Sequence, residues 1–276
     1  MEPIIEPIDR EILLKELNNG RFIRTTNYGE NEIYIINHHN SPNVMKEIGR
    51  LREVTFRAAG GGTGKACDID EFDEADQCYD QLLVWNKEDQ EIVGGYRYIL
   101  MRNSFVVNGI HNVASTELFK FSPSFISDYL PYSIELGRSF VQPKFQPSID
   151  NRKGMFSLDN LWDGLGALVI DNQDIKYFFG KVTMYTDFNV EARDCILSFM
   201  KYFFPDPEIL VEAIIPLQIK SDVSAFLDQI RNLEYKEAHR ILNQRVRELG
   251  ENIPPLVNAY MNLSATMKTF GTAPNH

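Results

Sequence analysis

The chain is short of several features that mark easily named protein classes. Its 276 residues include only three cysteines, Cys67, Cys78 and Cys195, with no CxxC pair and no histidine beside them. That excludes a disulfide frame and a zinc site and suits thiols kept in a reducing compartment. No apolar run approaches the ~18–20 residues that a membrane span needs. There is no internal repeat and no low-complexity segment. The N-terminus, MEPIIEPIDREI, is acidic and lacks the basic flank and apolar core of a secretory signal. The expectation is a cytoplasmic protein, with peripheral contact at the inner membrane surface left open. Positive charge is also scarce: 28 Lys and Arg against 39 Asp and Glu give a net charge of -11. A general nucleic-acid binder would be basic.

What is present reads as alternating strands and helices. Residues 1–31 form a helix-plus-loop preface. EIYIINH (32–38) is an apolar strand, and Ser41 and Pro42 supply a cap and a first-turn proline for a helix through VMKEIGRLREVTFRAA, ended by GGGTG (60–64). DQLLVWN (80–86) and EIVGGYRYIL (91–100) form a hairpin across KEDQ. YSIELGRSFV (132–141) is a further strand. A helix near FSLDNLWDGLGALVI, a strand KYFFGKVTMYT (176–186) and a helix VEARDCILSFMKYFF (190–204) follow, then one more strand within 207–217. Helices YKEAHRILNQRVREL (235–249) and PPLVNAYMNLSATMK (254–268) close the chain. This order predicts an α/β protein with a mixed sheet.

Charges stand where the pattern asks for apolar residues. Met45, Ile48, Arg52 and Phe56 share one helix face. Arg52 is therefore either a rim arginine with its stem in the core or an arginine ordering carboxylates, because an unpaired buried charge costs several kcal/mol. Arg97 shares a strand face with Val93, Gly95 and Ile99, and needs an anion for a salt bridge or a site. In Ile134-Glu135-Leu136-Gly137-Arg138, regular alternation puts Glu135 and Arg138 on opposite faces, whereas a β-bulge at Gly137 turns both to one side and frees a backbone N–H for an oxyanion. Solvated charges on an edge strand are the other reading. The acidic run Asp68–Asp73 lacks the spacing and glycine of a calcium loop, and no metal is expected.

In order, LREVTFR, DIDEFD, QLLVWN with IVGGYR, and IELGRSFV resemble the GNAT-like N-acyltransferases of bacterial aminolipid synthesis, and more distantly the acyl-homoserine-lactone synthases. The resemblance spans roughly residues 32–270, including the PPLVNAYMNLSATMK helix. It implies a GNAT-like mixed β-sheet flanked by helices with extra C-terminal helices, divided as an extension (1–31), an acyltransferase core (32–217) and a helical part packed on it (218–276). It also implies transfer of a fatty acyl or 3-hydroxyacyl group from an acyl carrier protein thioester to the α-amino group of glycine or ornithine, with no bound cofactor. By position, Arg52 and Phe56 match the family's helix arginine and aromatic. Asp70 and Asp73 match its paired acids, Arg97 its hairpin arginine, and Glu135 and Arg138 its E-x-x-R strand motif.

On that basis Glu135 is the base that frees the amine, directly or through water, and Gly137 marks the oxyanion site. Phe56 and Ser139 join Gly137 as substrate contacts. Arg138, Arg52 and Arg97 orient the carboxylates, or one of them forks the acceptor's own carboxylate. The stretch DNRKGMFSLDN lacks the glycine motif that cradles the pyrophosphate of coenzyme A, which favours a carrier-protein donor. Carrier proteins are acidic as a class, and Lys144, Arg152 and Lys153 are the docking candidates, with a solvated loop as the plain alternative. The eighteen Phe suit an acyl tunnel and equally an ordinary core. The family continues past the last helix into another strand, so an end at GTAPNH suggests either truncation, with the stretch after Met267 loosely packed, or a version that closes its sheet otherwise. The competing functions are an acyl-homoserine-lactone-type signal synthase and a non-catalytic acyl-binding module.

Overall fold

The structure is a computed structural model and describes residues 1–146 and 152–275. In chain order the elements are α1 (Arg10–Glu16), β1 (Phe22–Thr25), β2 (Glu32–Ile36), α2 (Pro42–Ala58), α3 (Glu71–Glu74), β3 (Asp80–Asn86), β4 (Glu91–Leu100), β5 (Val106–Val107), β6 (Ile110–His111), β7 (Phe119–Phe121), β8 (Ser133–Val141), α4 (Ser157–Asp171), β9 (Tyr177–Gly180), α5 (Val190–Phe203), β10 (Val211–Ala213), α6 (Ser224–Ile230), α7 (Tyr235–Glu248) and α8 (Pro255–Met261). They fall into two compact units. One holds Met1–Ala114 and Leu130–Lys181, the other Ser115–Tyr129 and Val182–His276. The units interleave along the chain, whereas the sequence reading divides it end to end.

The first unit is built on a six-stranded mixed sheet in the order β1-β2-β3-β4-β8-β9, antiparallel except for the parallel pair β8·β9. Residues 81–85 of β3 and 92–99 of β4 are buried throughout, as expected of central strands covered on both faces. Alternate residues face opposite layers. Leu83 and Trp85 join Val44, Met45, Ile48 and Leu51 of α2 in one core. On the other face Leu82 meets Gly164 of α4, where an added Cβ would lie 2.6 Å from a Leu82 methyl.

Helix α2 begins at Pro42, but Ser41 does not cap it: its Oγ is buried with no hydrogen-bond partner among the described residues. Glu16 of α1 does so instead, accepting from the Asn43 and Val44 amides at 3.2 and 2.9 Å. Beyond the end of α2, Gly60, Gly62 and Gly64 take positive φ. This loop is tied back by the buried Glu53, which accepts from the Thr63 amide and hydroxyl and the Gly64 amide at 2.8–3.0 Å.

Several expected elements differ in extent. β1 forms within the preface. The strand expected over 176–186 ends at Gly180, and the final helix ends at Met261. β10 belongs to the second unit, where it pairs with β7. That unit's core packs α5, α6, α7 and α8 around Phe199, Phe226, Leu242 and Val246. Residues after Met267 are held in it, contrary to the expectation of loose packing. The Thr269 amide bonds Phe204 O at 2.8 Å, Phe270 packs on Phe125, and the Leu217 amide reaches Thr272 O. No helix among the described residues is long and apolar enough to cross a membrane.

Candidate active site

Sheet register lays out the site. Gln81 on β3, Arg97 on β4 and Gly137 on β8 stand opposite one another across three neighbouring strands. Gln81 alternates with Leu83 and Trp85, so the row faces α2. Glu135, two residues before Gly137, faces the same way. The bulge expected at Gly137 is shifted. Gly95 pairs with Phe140 and Arg97 with Gly137, so β8 carries one extra residue across 138–139. Arg138, not Gly137, takes the positive φ, 46°. The extra residue puts Glu135 and Arg138 on one side.

From α2, the fully buried Arg52 reaches this row. Its Nη1 donates to Asp73 Oδ2 at 3.0 Å, and its Nη2 donates to Gln81 Oε1. Gln81 closes the triangle by donating to Asp73 Oδ1 at 3.0 Å. Arg97 Nη1 reaches Asp70 Oδ1 and, at 3.3 Å, Asp73 Oδ2. Arg138 Nη2 reaches Asp70 Oδ2 at 3.1 Å and Asp68 Oδ1 at 3.4 Å. The spacing of the two acids has a local cause. Asp70 caps α3 by accepting from the Phe72 amide, while Asp73 accepts from the Asp70 amide, so the pair forms a capping box. Both carboxylates thereby arrive oriented for the arginines.

Glu135 is 1% exposed. It stands apart from the aspartates and accepts from the Tyr79 hydroxyl, which in turn accepts from the Ala114 amide at 2.9 Å. The Arg97 guanidinium sits 5.0 Å from the Tyr79 ring centre and 5.6 Å from that of Phe72. Arg97 therefore joins the aspartate network to the Tyr79–Glu135 pair.

The titration directions follow from these contacts. Burial pushes the Asp73 carboxyl up, but Arg52 and Arg97 outweigh it and hold the group below the usual carboxylate range. Burial also raises Asp68, and there Arg138 and Arg52 do not offset it. Tyr79 is pushed far above the ordinary phenol range, first by burial and then by Glu135, so it stays a protonated donor.

Arg52, Arg97, Asp70, Asp73, Arg138 and, through Tyr79, Glu135 are thus brought together. Phe56 is half-buried and packs toward the α2 core with Ile8 and Ile69. Ser139 is half-buried in the bulge. Lys144 is engaged with Glu91 and Asp89 at 3.0 and 3.7 Å and lies over the Phe145 ring. The side chains of Arg152 and Lys153 lie outside the described residues. Sequence reasoning missed Tyr79 and Gln81. Gln81 is a polar residue inside the buried run DQLLVWN, a signal of the same kind that exposes Arg97. Among the described residues no group of three or more His, Cys, Asp or Glu is arranged to hold a metal ion.

Comparison with known proteins places the chain in a family. A family model described as an acetyltransferase (GNAT) domain matches residues 51–149, the stretch from Arg52 through the bulge. A glycine N(alpha)-acyltransferase of Phocaeicola vulgatus is 52% identical over 277 residues, covering 100% of this chain and 85% of that protein. A protein of the same name from Bacteroides thetaiotaomicron is also 52% identical over 277 residues, covering 100% of this chain and 82% of its own length. With this identity along the whole chain and a buried Glu–Arg–Asp site on a mixed sheet, the chain belongs to the GNAT-type N-acyltransferases and is an acyltransferase.

Proposed function

We propose that this chain acylates the α-amino group of glycine, using a fatty acyl thioester carried on an acyl carrier protein, to give an N-acyl amino acid for aminolipid synthesis. The observation that carries the reaction chemistry is Glu135. It is a buried carboxylate fixed by Tyr79, on the same strand face as Gly137 and next to a bulge. The names of the two relatives support glycine, and DNRKGMFSLDN, without a pyrophosphate-cradling glycine motif, supports a carrier-bound donor.

In this reading the amine nitrogen attacks the thioester carbon and gives up a proton to Glu135, directly or through a water. The carbonyl oxygen gathers negative charge and takes a hydrogen bond from a backbone N–H freed by the bulge. The C–S bond then breaks, and the thiolate leaves and is protonated. Tyr79 keeps the Glu135 carboxylate aimed, and the Arg52–Asp73–Arg97 network ties α2 and α3 to β4 beside it. β8 pairs with β9 only over Ser133–Leu136. From Gly137 onward its far edge has no strand partner among the described residues, which suits the amides of a pantetheine arm.

The test is Glu135→Gln. The amide keeps an acceptor for Tyr79 and loses the base, so kcat should fall about 10²–10⁴-fold with an unchanged melting temperature. Near-normal turnover would remove Glu135 from the mechanism.

A further inference from the structure

The Gln81–Arg97–Gly137 row bears side chains at two positions and none at the third. Nothing in the backbone demands glycine there: Gly137 does not have a positive φ. Packing does not demand it either, since an added Cβ would meet only Arg97 Nε, at 3.9 Å. The Arg97 guanidinium beside that space, and that of Arg138 on the next residue along β8, have donors to spare. The Nε groups of Arg97 and Arg138 are buried with no hydrogen-bond partner among the described residues. Arg138, with its side chain 33% exposed, reaches Asp68 and Asp70 through Nη2. Buried charged donors left unsatisfied are costly, and an anion would satisfy them. Glu135 lies two residues back on the same strand face, about 7 Å away along the strand.

We infer that the acceptor is bound as an α-amino acid zwitterion, its carboxylate over Gly137 against Arg138 with Arg97 behind it, and its amine directed at Glu135. This rests on the reading of Glu135 as the base. A carboxylate and an ammonium on one α-carbon match a cation and an anion, Arg138 and Glu135, that the bulge brings to one side of β8. Asp68 strengthens the match, because its carboxyl is pushed toward the neutral form by burial, which leaves Arg138 less fully compensated. Gly137 is then the residue that makes room for the acceptor's carboxylate, and Arg138 is the residue that recognises it.

Steady-state kinetics with glycine and with glycinamide, referred to the unprotonated amine and using one acyl-carrier thioester, test this. The wild-type KM for glycinamide should exceed that for glycine about 10- to 100-fold, the scale of a lost charge-assisted hydrogen bond. Arg138→Gln should raise the glycine KM toward the glycinamide value, leave glycinamide nearly unaffected and change kcat much less. Arg138→Lys should recover part of the difference. Gly137→Val removes none of the charged groups and should raise the glycine KM comparably. Equal wild-type KM values, or an Arg138→Gln loss that is the same for both acceptors, would overturn the inference. If Arg138→Gln does not fold, a normal glycine KM in Gly137→Val overturns it instead. Failure of the Glu135 reading shows separately, as near-normal kcat in Glu135→Gln with the acceptor KM ratio intact.

Discussion

Asp73 and Asp68, two aspartates of the network, differ in what burial costs them. Asp73 accepts from two arginines, a glutamine and a backbone amide, and its carboxyl is held low. A depressed folded-state pKa contributes stability above the unfolded pKa, and that contribution is lost as pH falls through the folded value. Asp68 behaves in the opposite way. It is 1% exposed and has one ion partner at 3.4 Å, and its Oδ2 has no partner among the described residues. Its folded pKa is raised, so the charged form is a cost that is absent below the unfolded pKa and grows as pH rises through the folded value. Asp68→Asn should therefore raise Tm by a few degrees at pH 8, with the gain shrinking toward zero near pH 4. A gain independent of pH would contradict this account, which thermal melts across that range can decide. Arg52 and Arg97 are legible in the sequence because a charge inside an apolar stripe needs a partner. Gln81 interrupts the apolar run DQLLVWN in the same way, but being neutral it asks for a hydrogen-bond partner rather than a counter-ion. Tyr79 carries no local signal at all, since its partners are 35 and 56 residues away.

Among the elements, α2 does the most to position the site, through contacts that periodicity cannot reveal. Its apolar face and its arginine are visible at helical spacing. Its cap is not, because Glu16 comes from another helix. Nor is the use of Gly49. An added Cβ there would lie 2.6 Å from both Cys67 Sγ and Ile69 Cγ1, and the Asp68 amide bonds Gly49 O at 3.0 Å. The segment carrying Asp68 and Asp70 therefore lies directly on the helix at this residue. Gly49→Ala improves helix propensity by about 1 kcal/mol, yet the overpacking should cost about 1–3 kcal/mol. Displacing 67–70 should also lower activity by more than the stability loss explains. Denaturant melts together with kcat/KM check both, and a stabilised, fully active variant would show that the segment is free to move. Elsewhere the elements are shorter than their patterns. The last helix stops at Met261, and in the segment that follows the Ser264 Oγ accepts from the Thr266 amide at 3.1 Å, a local bond that competes with the helical ladder. β1, with the burial pattern exposed–half–half–exposed, lacks the alternation that announces a strand.

At the scale of the whole molecule, charge constrains how the carrier-bound donor proposed above would arrive. The chain has a net charge of -11, so an acidic carrier protein is repelled at long range and must be captured by a local positive group within about one Debye length, ~8 Å at physiological salt. Of the three basic residues marked for this task, Lys144 is already engaged with Glu91 and Asp89. That leaves Arg152 and Lys153, at the start of the turn Arg152–Phe156 that leads into α4, as the residues we propose for docking. Neither is part of the Glu135 chemistry proposed above, so the prediction separates docking from chemistry. Arg152→Glu combined with Lys153→Glu should raise KM for an acyl-carrier thioester about 10-fold or more, the scale of reversing a pair of interfacial charges. KM for the same acyl group on a short pantetheine thioester, and kcat with either donor, should stay close to wild type. Higher salt should narrow the difference between variant and wild type, because both the lost attraction and the added repulsion are screened. An equal effect on both donors would point to a distorted donor site, and no effect on either would move carrier docking elsewhere on the chain.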